Sequence, residues 1–256
     1  MSGRFAPLCF LLALGLPACA TAASSLAPSS SSTQPAEVAV LADSTTSTPA
    51  TLKPTTTGPT TTSRSLEYRS RISPIEGPIA ERIIGLSWRE GCPLPLDDLR
   101  FVEVSYIDFD GAVQDGELVV AASVAEDIVT VFRSLFDARF PIERMHLVSD
   151  YGADDMASML ANNTSAFNCR FVEGTQGWSE HAFGQAIDVN PLVNPWVRND
   201  SVSPPEGARF ADRTVVHQGG LYEGSAAVAA FTAVGWVWGG TWPGSQDYQH
   251  FSSTGR

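Results

Sequence analysis

Lysine is almost missing from this 256-residue chain: Lys53 is the single example, and charged residues of all kinds make up only 17%. Acidic residues outnumber basic ones, 28 to 16, for a formal net charge of −12. The first 66 residues contribute only Glu37 and Asp43 against Arg4, Lys53 and Arg64, so the acidity belongs to the remainder. Such a surface repels nucleic acid and anionic lipid, which argues against partners held through phosphate. Cysteine is scarce too, at four, and neither Cys92 nor Cys169 lies in a CxxC pair or beside a histidine. That argues against a cysteine nucleophile or a zinc thiolate. No internal repeat is visible, and the longest apolar run, residues 5–16, is too short to stay in a bilayer as a span.

That run belongs to an export signal. Arg4 precedes it, Pro7 interrupts it, and the small residues Ala18, Ala20 and Ala22 follow, so residues 1–23 have the order of a secretory signal peptide. Ala20-Thr21-Ala22 suits cleavage after small residues, whereas Leu16-Pro17-Ala18-Cys19 resembles the lipobox of bacterial lipoproteins, with Pro17 departing from its usual small or aliphatic residue. Lipidation of Cys19 would be the protein's only tie to a membrane. Residues 24–66 are Ser, Thr, Pro and Ala, including Thr55-Thr56-Thr57 and Thr60-Thr61-Thr62, with too few large apolar groups to offset the entropy of ordering. They read as a disordered tether holding one domain, residues 67–256, in the cell envelope or outside it. In that oxidising setting Cys92 and Cys169 are expected to form a disulfide.

Within the domain, residues 99–109 alternate as a strand, Asp110-Gly111 forms a loop, and residues 117–121 return antiparallel. Ser123 with Glu126 has the pattern of a capping box, ahead of Val124, Ile128, Val131, Phe132, Leu135 and Phe136 at helical spacing. Residues 144–148 read as a strand that places His146 in a structural role, residues 154–161 as a short helix, and residues 225–234 as a helix closed by Gly235. Gly184 breaks any helix running from His181 to Asp188. Ile187 and Val189 instead suggest a strand with Ala186, Asp188 and Asn190 on its other face. Trp236, Trp238 and Trp242 read equally as core or as the wall of a binding cleft. The fold class is α+β, a small, mostly antiparallel sheet with flanking helices.

A hydrolytic zinc ion needs three imidazole or carboxylate ligands and one open position. The chain has four histidines, and two of them, His181 and His250, sit close to carboxylates in Ser179-Glu180-His181-Ala182-Phe183-Gly184-Gln185-Ala186-Ile187-Asp188 and Asp247-Tyr248-Gln249-His250-Phe251. The joint pattern SxHxxGxAxD followed by DxxHF resembles the metallopeptidases of the D-alanyl-D-alanine carboxypeptidase type, peptidase family M15. Gly91-Cys92-Pro93, Phe109-Asp110-Gly111, the stretch from Asn163 through Cys169 to Arg170, and Gly235-Trp236-Val237-Trp238-Gly239-Gly240 extend that resemblance over roughly residues 70 to 256.

The resemblance implies the fold shared by D-Ala-D-Ala peptidases and hedgehog-type signalling domains. It also implies that His181, Asp188 and His250 bind Zn2+ and that Asp247 is the base activating zinc-bound water. Arg170 is the candidate for steadying the anionic intermediate, although this chain departs from the more familiar members, carrying Tyr151-Gly152 where they have an arginine after an early tyrosine. The other reading of Arg170 is pairing with a buried carboxylate or packing beside the disulfide. Ser179 is the candidate for orienting a ligand imidazole through a hydrogen bond to its remaining ring nitrogen, and His217 is expected to lie off the metal. Asn162-Asn163-Thr164-Ser165 holds overlapping sequons, but a bacterial export signal leaves no reason to assign a glycan. The expected function is zinc-dependent hydrolysis of peptide bonds in peptidoglycan stem peptides by a monomer, either trimming a terminal D-alanine or cutting between L-alanine and D-glutamate. The competing function is a non-catalytic zinc-containing wall-binding or signalling module, which would have no use for Asp247.

Overall fold

The computed structural model describes residues 67–199 and 201–256, so the signal at 1–23, lipidation of Cys19 and the linker at 24–66 lie outside the described residues. The chain begins with β1 (Ser70–Pro74) and α1 (Gly77–Ile83), followed by the long hairpin β2 (Leu99–Ile107) and β3 (Val113–Ala121) and then α2 (Ala125–Asp137). These strands form an antiparallel sheet in the order β1-β2-β3. The two-residue period of a strand sends Val102, Val104, Tyr106, Leu118 and Val120 to one face, where they meet Ile128, Val131, Phe132 and Leu135 of α2. Leu99, Phe101 and Val119 point the other way, against Ile75, Ile83, Leu147 and Phe167. Burial on both faces explains why β2 is more apolar than a half-solvated strand.

The loop joining β2 to β3 is held by Asp108, whose Oδ1 accepts the N–H groups of Asp110 and Ala112 at 3.0 and 2.8 Å. The capping box expected at Ser123 does not form. The chain leaves β3 straight into a 3-10 turn, Ala122–Val124, and α2 starts after Val124 with no side-chain cap. Ser123 lies within that turn, not at the extended position a capping hydroxyl needs.

Beyond α2 the elements shrink. β4 (Arg144–Met145) is shorter than the strand expected at 144–148 and pairs in parallel with β5 (Asn163–Thr164). Between them lies α3 (Asp155–Leu160), capped by Asp154, whose carboxylate accepts the N–H of Ala157 at 3.1 Å. β6 (Ala186–Asp188), the hairpin β7 (Trp196–Arg198) and β8 (Ser201–Ser203), α4 (Ala226–Ala233), β9 (Val237–Trp238), β10 (Ser245–Asp247) and β11 (His250–Ser252) complete the domain. They make two antiparallel sheets, β6-β11-β9 and β10-β7-β8. The class is α+β as expected, but the described strands divide among several small sheets. Among the described residues no helix is long and apolar enough to cross a membrane.

Phe251 ties the β6-β11-β9 sheet to the main core by stacking on Phe231 of α4 at 3.9 Å between ring centroids. Alternation along β11 then turns His250 and Ser252 to the opposite face. A disulfide joins Cys92 to Cys169 with Cα atoms 5.9 Å apart, bridging the segment after α1 to the loop that precedes His181.

Candidate metal centre

Three backbone devices place the candidate ligands. The Ser179 hydroxyl accepts the N–H of His181 at 3.3 Å and so caps the 3-10 turn Glu180–Phe183. Gly184 ends that turn at φ +63°, pressed so closely on β3 that a Cβ there would lie 2.5 Å from the Ala121 nitrogen. The chain then enters β6, where alternation buries Ile187 in the core and turns Asp188 to the other side. Antiparallel pairing sets His250 of β11 directly opposite Asp188. The outcome is a buried group, His181, Asp188 and His250, whose ligand atoms lie within 4.8 Å of one another.

The two imidazoles present different nitrogens. His181 Nδ1 lies 2.5 Å from the Ala166 carbonyl, which can only accept, so Nδ1 carries the proton and the Nε2 lone pair faces the group. That Nε2 is buried without a hydrogen-bond partner, though it lies 3.2 Å from Asp188 Oδ2. His250 donates Nε2–H to the Arg256 backbone oxygen at 3.1 Å and turns Nδ1 to Asp188 Oδ1 at 3.0 Å. Burial pulls the His250 imidazole down, but the adjoining Asp188 carboxylate outweighs it and pushes the group up to about 9. Asp188 feels the reverse: burial pushes it up, and His181 and His250 hold it well below the usual carboxylate range. An unpaired lone pair beside a carboxylate that demands positive charge fits a divalent cation with mixed imidazole and carboxylate ligands.

Asp247 comes from a different support. It ends β10, paired with Trp196 of β7, and the chain bends at Tyr248-Gln249 before joining the other sheet as β11. The Asp247 Oδ1 is buried without a partner. Burial is the main cause that pushes its carboxyl up to about 7; His250 pulls it down and Asp188 pushes it further up. A cavity of about 340 Å³ opens on these groups, lined by His181, Asp188, His250, Asp247, Arg170 and Trp242 among others.

Residues 173–253 match the family model described as D-alanyl-D-alanine carboxypeptidase. The resemblance to peptidase family M15 is thereby shown. No curated protein and no solved structure matches the chain. The matched segment contains His181, Asp188, His250 and Asp247, whereas Arg170, Cys92 and Cys169 lie before it. Peptidase-type chemistry is therefore supported for the cavity the segment lines.

Arg170 stands on the wall of that cavity, but its Nη2 is paired with Asp155 at 2.8 Å and its Nε is buried without a partner. The structural reading of Arg170 thus finds a counterpart in an ion pair, with a part-exposed and not a buried carboxylate. Ser179 reaches His181 through the backbone and not through the imidazole; the orienting acceptor is the Ala166 carbonyl. His146 is exposed, and only its backbone is engaged, with Asn163. His217 packs edge-on against Phe210 at 4.9 Å, outside the cavity lining. The tryptophans divide: Trp236 and Trp238 are core at 2% and 6% exposure, and Trp242 faces the cavity, as do Trp178 and Trp196, which sequence reasoning missed. Ala166 and Arg256 act through backbone oxygens, so no side-chain signal could have revealed them.

Proposed function

We propose that this protein is an exported zinc metallopeptidase that hydrolyses peptide bonds in peptidoglycan stem peptides. The observation that carries the proposal is the buried His181, Asp188 and His250 group, one lone pair unsatisfied, facing a cavity also lined by Asp247, whose Oδ1 has no partner. His181, Asp188 and His250 would hold Zn2+, which when bound lowers the pKa of water toward ~7 and offsets negative charge on a carbonyl oxygen. Asp247 accepts the proton of the attacking water at its unpaired Oδ1 and returns it to the leaving amine, and burial gives its carboxyl the near-neutral affinity both transfers require. Arg170, on the cavity wall, is the candidate donor to the carbonyl oxygen as charge develops there. Trp178, Trp196 and Trp242 reduce access of bulk water. The Cys92–Cys169 disulfide suits an oxidising compartment, in keeping with export and with anchoring, where Cys19 is lipidated, at the outer membrane face.

Metal analysis of the full chain, combined with assays on stem peptides, tests this reading. Asp247→Ala is expected to retain one zinc per chain and to lose turnover by roughly 10²- to 10⁴-fold, while His181→Ala loses metal and turnover together. Release of D-alanine, or of products cut after L-alanine, separates the carboxypeptidase from the endopeptidase form. Cleavage that continues undiminished after chelation would overturn the mechanism. Zinc-loaded protein that binds stem peptides but cleaves neither bond would favour the wall-binding module.

A further inference from the structure

The sheet that carries Asp247 extends well past the metal group. Its register aligns Asp247 with Trp196 and Ser203, and, two residues along, Ser245 with Arg198 and Ser201. Directly paired residues, and residues two apart, share a face of an antiparallel sheet, so both rows face the same side. A second cavity of about 410 Å³, lined by Met156, Glu173, Trp196, Arg198, Ser201 and Ser203 among others, lies over the outer row. Glu173, Trp196 and Ser203 also line the cavity at the metal group, so the two are neighbouring stretches of one trough.

Two opposite charges stand in the outer stretch. The Arg198 guanidinium lies 4.6 Å over the Trp196 ring, a stack that restrains its long side chain and leaves its N–H edge available. Among the described residues no carboxylate pairs with it, and no ion pair joins it to Glu173 across the cavity they share. Glu173 is exposed and comes from the loop wall, whereas Arg198 comes from the sheet. A cation and an anion that line one cavity without meeting leave room for a group bearing both complementary charges.

We infer that this outer stretch is a subsite for a substrate side chain ending in both an ammonium and a carboxylate, the free end of a diamino dicarboxylic acid residue. Arg198 binds the carboxylate through paired N–H donors and Glu173 the ammonium, while Met156 and Trp196 flank the aliphatic stem. The inference rests on the peptidase reading of the same trough and adds to it the residue that selects the substrate.

The test uses the full chain and three stem peptides that differ only in that residue: the free zwitterion, its carboxamide and its N-acetyl form. The ratio kcat/KM is expected to favour the zwitterion by roughly tenfold or more over each derivative. Arg198→Gln should abolish discrimination against the carboxamide and Glu173→Gln discrimination against the N-acetyl form, with Arg198→Lys restoring part of the first. Calorimetric binding of the same peptides to chelator-treated protein should follow the same order. Equal rates and affinities for all three, or preferences that survive both substitutions, overturn the subsite. Ordered binding without cleavage of any peptide supports the subsite and sinks the peptidase reading; cleavage of all three without order does the reverse.

Discussion

The hairpin half of the domain and the half that carries the metal group are held together by different forces. In the first, β2 and β3 are nine-residue strands packed on α2 through aliphatic and aromatic side chains. In the second, strands run two or three residues, and among the described residues every buried polar residue other than Ser87 and Ser105 lies there. Asparagines do much of the joining. Asn194 donates to the carbonyls of Val189, Asn190 and Gly219 and accepts from Leu221 and Arg213, while Asn190, at φ +45°, donates to Pro141 and Gly219 and accepts from Glu143. Apolar area is non-directional and tolerates small shifts, whereas hydrogen bonds fix position and angle. A metal group needs the second kind of support.

The disulfide links the two halves, so removing it is the strongest challenge to their division of labour. Cys92→Ser with Cys169→Ser opens a link across 77 residues and is expected to cost about 4 kcal/mol in urea unfolding, with both halves still melting together. Separate transitions would show that the link, and not the shared core around Phe231 and Phe251, couples them. A sharper contrast comes from Leu118→Ala and Asn194→Ala, each expected to lose about 3 kcal/mol, the first by leaving a cavity and the second by stranding buried polar groups. Only Asn194→Ala should also weaken zinc affinity, by roughly tenfold in competition with a chelator, because its amide fixes Val189 and Asn190 beside Asp188. Equal affinities in the two variants would remove the distinction.

The smallest effect belongs to Asp108 in the hairpin loop. Slight burial pushes its carboxyl up, but hydrogen bonds from Gln114 and from the N–H groups of Ala112, Asp110 and Gly111 hold it below its ordinary value of 3.8. A carboxyl depressed in the folded state contributes stability above that ordinary value and loses it as pH falls through the lowered one. Asp108→Asn should therefore cost under about 1 kcal/mol at pH 7, where solvent screens the group. It should also flatten the decline of stability in acid, measured by urea unfolding at pH 7 and pH 3.

The contrast also accounts for what could be read from the sequence. The hairpin and α2 repeat a period long enough to declare itself, and α4 was marked by Gly235 at its end, whereas β7, β8 and β10 are too short to show alternation. His181, Asp188 and His250 were legible because their side chains carry the pattern, and Gly184 was legible as a break. The bend that brings Asp247 toward His250 lies at Tyr248-Gln249, where no glycine or proline marks it. The carbonyls of Ala166 and Arg256, which set the imidazole tautomers, belong to groups that every residue has. The capping box at Ser123 failed for the opposite reason: its local pattern is sound, and the exit direction of β3 overrode it.

Asp247 and His250 are separated by two residues and yet belong to different sheets. On the proposed function, the groups that would hold the ion and the group that would move the proton are thus mounted on separate platforms joined by a two-residue hinge. On that reading, changes in the β10-β7-β8 platform would alter how fast the site works without altering how tightly it is loaded, so speed and occupancy would be free to evolve, or to be engineered, one at a time.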